Sequence, residues 1–433
     1  MSDPVHLIRV PDREGDGKAT DIRSTLQTWD WHWRLPRGTE RLVLDFSALR
    51  FMEPWALAMF AAYGLHWREE GIKVELRLDP SNPSNAYLEQ MGFVDLVERG
   101  DSDRARQRWR SSPQNTGLHQ ILSETDRKSF DESTGSLKGL SESDELDALR
   151  YAMVELTRNV LQHSGSKIGG IAIAQYFPER KALQLAVCDL GRGVRAALEA
   201  QYPEIRSSAE ALRLAILPHV SGVVAGGPYG AGSDNAGLGL FVCREIAWRA
   251  SGSFWLASKD AVLGTRGDVG GHDDHEGTRN LYRSIRPWPG TLVAVDIPVA
   301  GTLSFQGVLS ICRQLAQEAR AQSGAAGLDF IDEASELEAG VELVAIAPIT
   351  EDIDAARQLR DERLLPRVRD GEPTVLDFGG IRFVTQSFAH ALLNEVLRVP
   401  GSLVRLSFAR CTRSTREVLR AVAGYAASYR RIV

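Results

Sequence analysis

Three groups of residues in this chain have the types and spacing to do chemistry. Glu155, Asn159 and His163 follow one another at intervals of four within residues 144–164, so a helix would set them in one row. A carboxamide oxygen can ligate Mg²⁺, a hard ion that takes oxygen donors, and a carboxylate one turn away can polarise a water or a hydroxyl. A solvated polar face accounts for the same stripe without chemistry. The second group is Asp189-Leu-Gly191-Arg-Gly193, at the end of the apolar run 182–188. Glycines here permit a tight turn with close backbone approach, and an aspartate at a strand end can accept a hydrogen bond from an exocyclic amine. An ordinary surface turn uses the same residues. The third group holds seven glycines within residues 222–239 and runs into Gly237-Leu-Gly239-Leu-Phe-Val, which opens a helix. Free N–H groups at such a helix start can hold phosphates, and a flexible connector is the plain alternative.

The elements that must position these groups are legible from periodicity. Leu146, Leu149, Met153, Leu156 and Val160 recur at helical spacing and predict one buried stripe, on a different face from Glu155 and Asn159. Upstream, the apolar run from Arg41 to Asp45 predicts a strand and residues 51–63 a helix with Pro54 in its first turn. Residues 72–78 predict a second strand and 82–91 a second helix closed by Gly92, a β-α-β-α succession whose helices pack on a sheet. Residues 101–140 are polar with little periodicity and read as a linker, with one docking helix near 119–122. The C-terminal segment repeats the first: residues 374–392 align without gaps on 42–60, setting Asp377 on Asp45, Phe378 on Phe46, Arg382 on Arg50 and Phe383 on Phe51. Such a match marks two copies of one fold.

Taken in this order, the three groups resemble the Bergerat-type (GHKL) ATP-binding fold of gyrase, mismatch-repair proteins, heat-shock chaperones, histidine kinases and anti-sigma-factor kinases. Residues 155–159 match that family's N box, Asp189, Gly191 and Gly193 its first glycine box, Gly237 and Gly239 its second, and Gly290-Thr291 its late Gly-Thr pair. The resemblance implies an α/β sandwich with ATP under a lid made from the region between Gly193 and Gly237. It assigns Mg²⁺ to Asn159, the adenine amine to Asp189 with Thr291 nearby, phosphates to Gly237 and Gly239, and general-base work to Glu155. It gives no uniform task to His163. The flanks resemble STAS domains, which serve as partners of such ATPases. The expected architecture is therefore α/β: a STAS-like domain over 1–100, a linker over 101–140, the ATP-binding domain over 141–300, a linker helix over 301–325 and a STAS-like domain over 326–433. Where the STAS fold has a phosphorylated serine, the first copy has Pro54 and Trp55, whereas the second keeps Ser387, with Thr385 nearby. A helix N-cap accounts for those hydroxyls equally well.

Composition narrows the function classes. With 51 Lys and Arg against 57 Asp and Glu, the net charge of −6 argues against a chain built to grip nucleic acid. The most apolar stretch, residues 54–67, is shorter than the roughly 20 residues of a bilayer helix, and no signal-peptide core opens the chain. Four scattered cysteines predict neither a disulfide framework nor a zinc site and suit a reducing cytoplasm. Three weaker signals remain. Trp29, Trp31 and Trp33 alternate with period two and are expected under the first sheet, with a partner surface as alternative. Arg104, Arg106, Arg108 and Arg110 read as a solvated linker stripe, and His272 and His275 are too loosely framed for a metal site.

These readings leave three functions open. One is a regulatory ATP-binding protein whose nucleotide state controls docking of a protein partner, with slow ATPase or protein-serine kinase activity. Another is an ATP-hydrolysing machine that closes as a homodimer, and the third is a module in which ATP is only bound. A sensor histidine kinase is disfavoured, because His119 lacks a heptad-bearing hairpin to present it.

Overall fold

In a computed structural model, the described residues are 5–10, 22, 26, 33–107, 114–134, 137, 143–218, 220, 238–266, 283–301, 303–321, 327–332, 341–346, 352–399 and 401–430. The protein is a mixed α/β chain with three sheets among these residues. It divides into two compact units: Met1–Ala197 with Ile246–Asp268 and Asn280–Phe305, and Leu198–Glu245 with Val269–Arg279 and Gln306–Val433. No helix among the described residues is long and apolar enough to cross a membrane.

In the first unit the expected strand forms as β2 (Arg41–Asp45), paired in parallel with β1 (Val5–Arg9) on one side and β3 (Lys73–Arg77) on the other. Being central, β2 is buried along almost its whole length, which its continuous aliphatic run permits. Helix α1 (Pro54–Glu69) follows, with 13 of its 16 residues buried. Such a helix is apolar all round because it has no solvent face to keep. It packs on β3 and also on strands β5 (Gly170–Phe177) and β6 (Ala182–Asp189) of a second sheet, and one apolar core runs through both. Gly64 allows the closest approach: a Cβ there would lie 2.4 Å from Val97 Cγ1. Phe46 meets Phe60 and Phe93 edge-to-face, each at 5.3 Å between ring centroids.

The second sheet is antiparallel, with β4 (His119–Ile121) at one edge, then β5, β6, β8 (Arg283–Pro298) and β7 (Ser253–Arg266). Residues 101–140 therefore depart from the linker expectation. They supply a helix, Ser102–Gln107, then β4 in place of the docking helix, then a helix, Glu124–Ser133, capped by Ser123. The reason is long-range pairing, His119 with Ala172 and Ile121 with Gly170, which three residues cannot announce by periodicity. His119 is buried, its Nε2 lies 3.0 Å from the Thr116 carbonyl, and its ring packs against Phe130. Burial pulls its pKa down to about 4, so the imidazole is neutral at pH 7.

Helix α2 (Asp144–Asn159) starts at an N-cap, Ser143, whose side chain accepts from the Leu146 N–H, and carries three acids in its first turn. Leu146, Leu149, Met153, Leu156 and Val160 are all buried, and the helix packs on β6 and β8. At Val160 the winding widens to a π turn, Val160–Ser164, ended by Gly165 at φ 62°.

The second unit holds the other copy of the repeat. Its parallel sheet runs in the order β10 (Glu342–Ala345), β11 (Thr374–Asp377), β12 (Leu406–Ala409), β9 (Asp329–Ile331). The aligned residues do aligned work. Asp377 Oδ1 accepts from the Gly379 N–H at 2.9 Å and the carboxylate pairs with Arg410. Asp45 Oδ1 accepts from the Ser47 N–H at 3.1 Å and the carboxylate pairs with Arg77. Each central strand thus ends on an aspartate that turns the chain and grips the next strand. The helix after the turn begins after Glu53 in one copy and, as α3 (Gln386–Arg398), after Thr385 in the other, both caps extended at ψ near 150°. Thr385, rather than Ser387, is the N-cap, accepting from the Phe388 N–H at 3.1 Å. Glu53 makes no cap hydrogen bond and instead pairs, buried, with Arg180 at 2.9 Å.

Candidate functional site

Strand β6 is buried from Leu183 to its last residue, and that residue is Asp189. Its Oδ1 accepts from the Gly191 N–H at 2.7 Å, and the Thr291 main chain and hydroxyl also hydrogen-bond to the carboxylate. Burial pushes its pKa up to about 6, while the bonds from Gly191 and Thr291 and the charge of Lys259 work against that rise. The group is therefore a buried, mostly ionised acceptor at neutral pH.

The glycines around it are there for space. A Cβ on Gly191 would lie 2.0 Å from the Ser164 carbonyl oxygen, and one on Gly290 would lie 2.5 Å from Asp189 Oδ1. Gly193 has φ 79°, and a Cβ there would lie 2.7 Å from Ser258 Oγ. Ser258 stitches the two glycine turns together, donating to the Gly290 carbonyl at 2.8 Å and accepting from the Val194 N–H at 3.1 Å.

The helix with the polar row joins this turn through its π segment. Arg192 donates from Nε to the His163 carbonyl at 2.6 Å and from its main chain to the Ser164 carbonyl at 2.9 Å. Glu155 and Asn159 keep α-helical spacing, but His163 lies in the π turn, so the four-residue interval no longer places it by the same rule. Burial, and then the Arg192 charge, hold the His163 pKa below its ordinary value. Glu155 is buried and pairs through Oε1 with Arg158 Nη1 at 2.8 Å. Burial raises its pKa, against the opposing charges of Arg158 and Arg127.

Of the residues singled out from the sequence, Asp189, Gly191, Gly193 and Thr291 gather at one turn, with Glu155 and Asn159 on the helix bonded to it. Gly239 is the first residue of helix α4 (Gly239–Arg249). Gly237, Trp29, Trp31, Arg108, Arg110, His272 and His275 lie outside the described residues, as does the glycine-rich run 221–237. All four cysteines are buried free thiols. Among the described residues no group of three or more His, Cys, Asp or Glu side chains is arranged to hold a metal.

Three site residues escaped the sequence reading: Ser258, Lys259 and Trp288. Trp288 is fully buried and donates its indole N–H to the Asp189 carbonyl at 3.1 Å. Its setting, Pro287-Trp-Pro289 directly before Gly290-Thr291, was the available signal. Lys259 sits at a bulge, with register shifts on both sides and φ 53°. A bulge re-aims a side chain, and here the ammonium reaches the Gly191 carbonyl at 3.5 Å and the Pro289 carbonyl. Burial lowers its pKa while the nearby Asp189 opposes the shift. Nothing in a strand's alternation announces such a residue.

Compared with protein-family profiles, with curated proteins and with solved structures, the chain matches none.

Proposed function

We propose that the chain is an ATP-binding regulatory protein, with a Bergerat-type nucleotide site in its first unit and STAS-like repeats on either side in sequence. The observation that carries this reading is Asp189: a buried carboxylate at a strand end, bonded to Gly191 and Thr291, at a turn where Gly191 and Gly290 pack too closely on Ser164 and Asp189 to carry a Cβ. An ionised carboxylate accepts only, so it selects a donor such as the adenine amine, and Thr291 supplies a hydroxyl beside it. Asn159 and Glu155 offer oxygens one helical turn apart on the segment bonded to that turn. Mg²⁺ fits such a sparse protein donor set, because it commonly completes its shell with phosphate oxygens and water, neutralising the phosphate charge.

Glu155 is suited to hold the proton of an attacking hydroxyl or water, since burial raises its pKa. Its ion pair with Arg158 favours the module in which ATP is only bound, because the base is already engaged. The repeats would dock a protein partner, and Ser387 is the serine at a STAS acceptor position. Calorimetry of Mg-ATP binding to the full chain tests the central reading: wild type should bind, Asn159→Ala should bind more weakly, and Asp189→Asn should lose its preference for ATP over GTP. A wild type that binds no nucleotide overturns it. γ-Labelled ATP then separates label on protein, free phosphate and neither.

A further inference from the structure

Ser258 and Lys259 are consecutive in β7, and strict alternation would send their side chains to opposite faces of the sheet. They stay together. Ser258 pairs with Thr291 and Lys259 with Trp288, so β8 places two extra residues, Pro289 and Gly290, against a single step of β7. One side chain of the pair takes the carbonyl of each extra residue: Ser258 Oγ donates to Gly290 at 2.8 Å, and the Lys259 ammonium donates to Pro289. Lys259 turns that way with a left-handed backbone, at φ 53°. A long L side chain enters that region at a steric cost, and such a conformation kept at a site points to a task for the side chain.

The pair also reaches the other glycine turn. Ser258 Oγ accepts from the Val194 N–H at 3.1 Å, and Lys259 Nζ lies 3.5 Å from the Gly191 carbonyl. The lysine stem packs on Gly193, where a Cβ would lie 3.0 Å from Lys259 Cε. The ammonium therefore stands between the turn that follows Asp189 and the turn that leads to Thr291. Those turns supply the donors of the Asp189 carboxylate, the Gly191 N–H from one and Thr291 from the other. Burial pushes the Asp189 pKa up and the Lys259 pKa down, and each charge opposes the other's shift. The adjoining Cys188 thiol is held neutral by burial, and on the helix side Arg192 is turned to the His163 carbonyl.

We propose that Lys259 is the positioning residue for adenine recognition: its ammonium, set at the bulge, ties the Asp189 turn to the Thr291 turn, so that the carboxylate and the hydroxyl face one base together. The proposal rests on the nucleotide-site reading and adds to it the residue that holds the base-reading pair in place. A lysine at a strand irregularity thus acts on the base through the aspartate, without touching the base itself.

Three variants of the full chain test it, each read by calorimetry of Mg-ATP binding from pH 5.5 to 8.5 and by carbon NMR of the aspartate carboxyls without nucleotide, with Asp189 assigned by Asp189→Asn. Lys259→Met keeps the stem and removes the charge. It should move both midpoints up by about one pH unit, the low end of what an opposite charge nearby contributes. ATP affinity should then fall about threefold more at pH 6.5 than at pH 8.5, as the ionised fraction of Asp189 requires. Lys259→Gly accepts the left-handed backbone and should behave as Lys259→Met, and it serves if the methionine variant fails to fold. Lys259→Arg keeps the charge and should return both midpoints toward wild type. Midpoints that stay in place in the methionine and glycine variants, or a loss of affinity equal at both pH values, overturn the proposal and leave the nucleotide reading intact. An arginine variant that behaves as the methionine one overturns the role of the charge. A wild type that binds no nucleotide overturns the nucleotide reading and the proposal with it, a failure that the unmoved midpoints of a binding protein would not resemble.

Discussion

The Trp288 indole N–H meets the Asp189 main-chain carbonyl at 3.1 Å, so the residue that turns the chain at the end of β6 is pinned from β8 by its backbone while its carboxylate is left for the site. Trp33 packs edge-to-face on Trp288 at 5.5 Å and on Tyr63 at 5.2 Å, which carries the same aromatic cluster into helix α1. Trp288→Phe keeps most of the apolar volume and removes the hydrogen bond. It should lower stability by about 1 kcal/mol and weaken ATP binding without changing the preference for ATP over GTP. Thermal melts and calorimetry read the two effects separately.

Asp189 should make nucleotide binding pH-dependent. Its pKa is raised to about 6, so ATP affinity should fall as the pH drops through that value and the acceptor is protonated. The stability sign is opposite. The folded protein keeps the proton to higher pH than the unfolded chain, so this group's contribution falls as pH rises from about 4 to about 6 and then levels off. Asp189→Asn should therefore raise the melting temperature at pH 7.5 while impairing adenine recognition. Asp296 provides the control: it is also raised to about 6 by burial and hydrogen-bonds Ser253, away from the glycine turn. Asp296→Asn should stabilise the fold at pH 7.5 and leave nucleotide preference as it was.

Turnover should depend on how Glu155 and Arg158 share charge. Glu155→Ala should keep ATP binding and lower any turnover by roughly 10²–10⁴-fold, the usual scale for a general base. Arg158→Ala removes the 2.8 Å ion pair and should free the carboxylate, raising turnover if Glu155 is the base. Rates of phosphate release in the two variants should move in opposite directions.

The caps at the repeated turns predict unequal stabilities. Thr385→Ala removes a cap bond to the Phe388 N–H and should cost about 1 kcal/mol. Ser387→Ala leaves the Thr385 cap residue in place, so a loss of label in a Ser387→Ala variant with an unchanged denaturant midpoint would speak to phosphoryl transfer. Denaturant midpoints and phosphopeptide mapping check this pair.

The stripe from Leu146 to Val160, the strand from Arg41 to Asp45 and the paired Asp45 and Asp377 turns were all legible in the sequence, because each rests on a short-range period or on a gapless repeat. Asp189 with its glycines was legible as a turn for the same reason. What only the tertiary structure decided is what those residues meet. Strand β4 exists because β5 offers it an edge, and the burial of α1 exists because two sheets share it. Lys259 faces the Gly191 and Pro289 carbonyls because a bulge breaks the alternation of β7. Arg382 was found as half of a repeat, but its bond to Glu210 joins residues 172 positions apart. Local pattern carries the period of a helix or strand and the steric demand of a turn. Partners far along the chain are chosen by packing and charge once the elements have assembled, and no window on the sequence contains both.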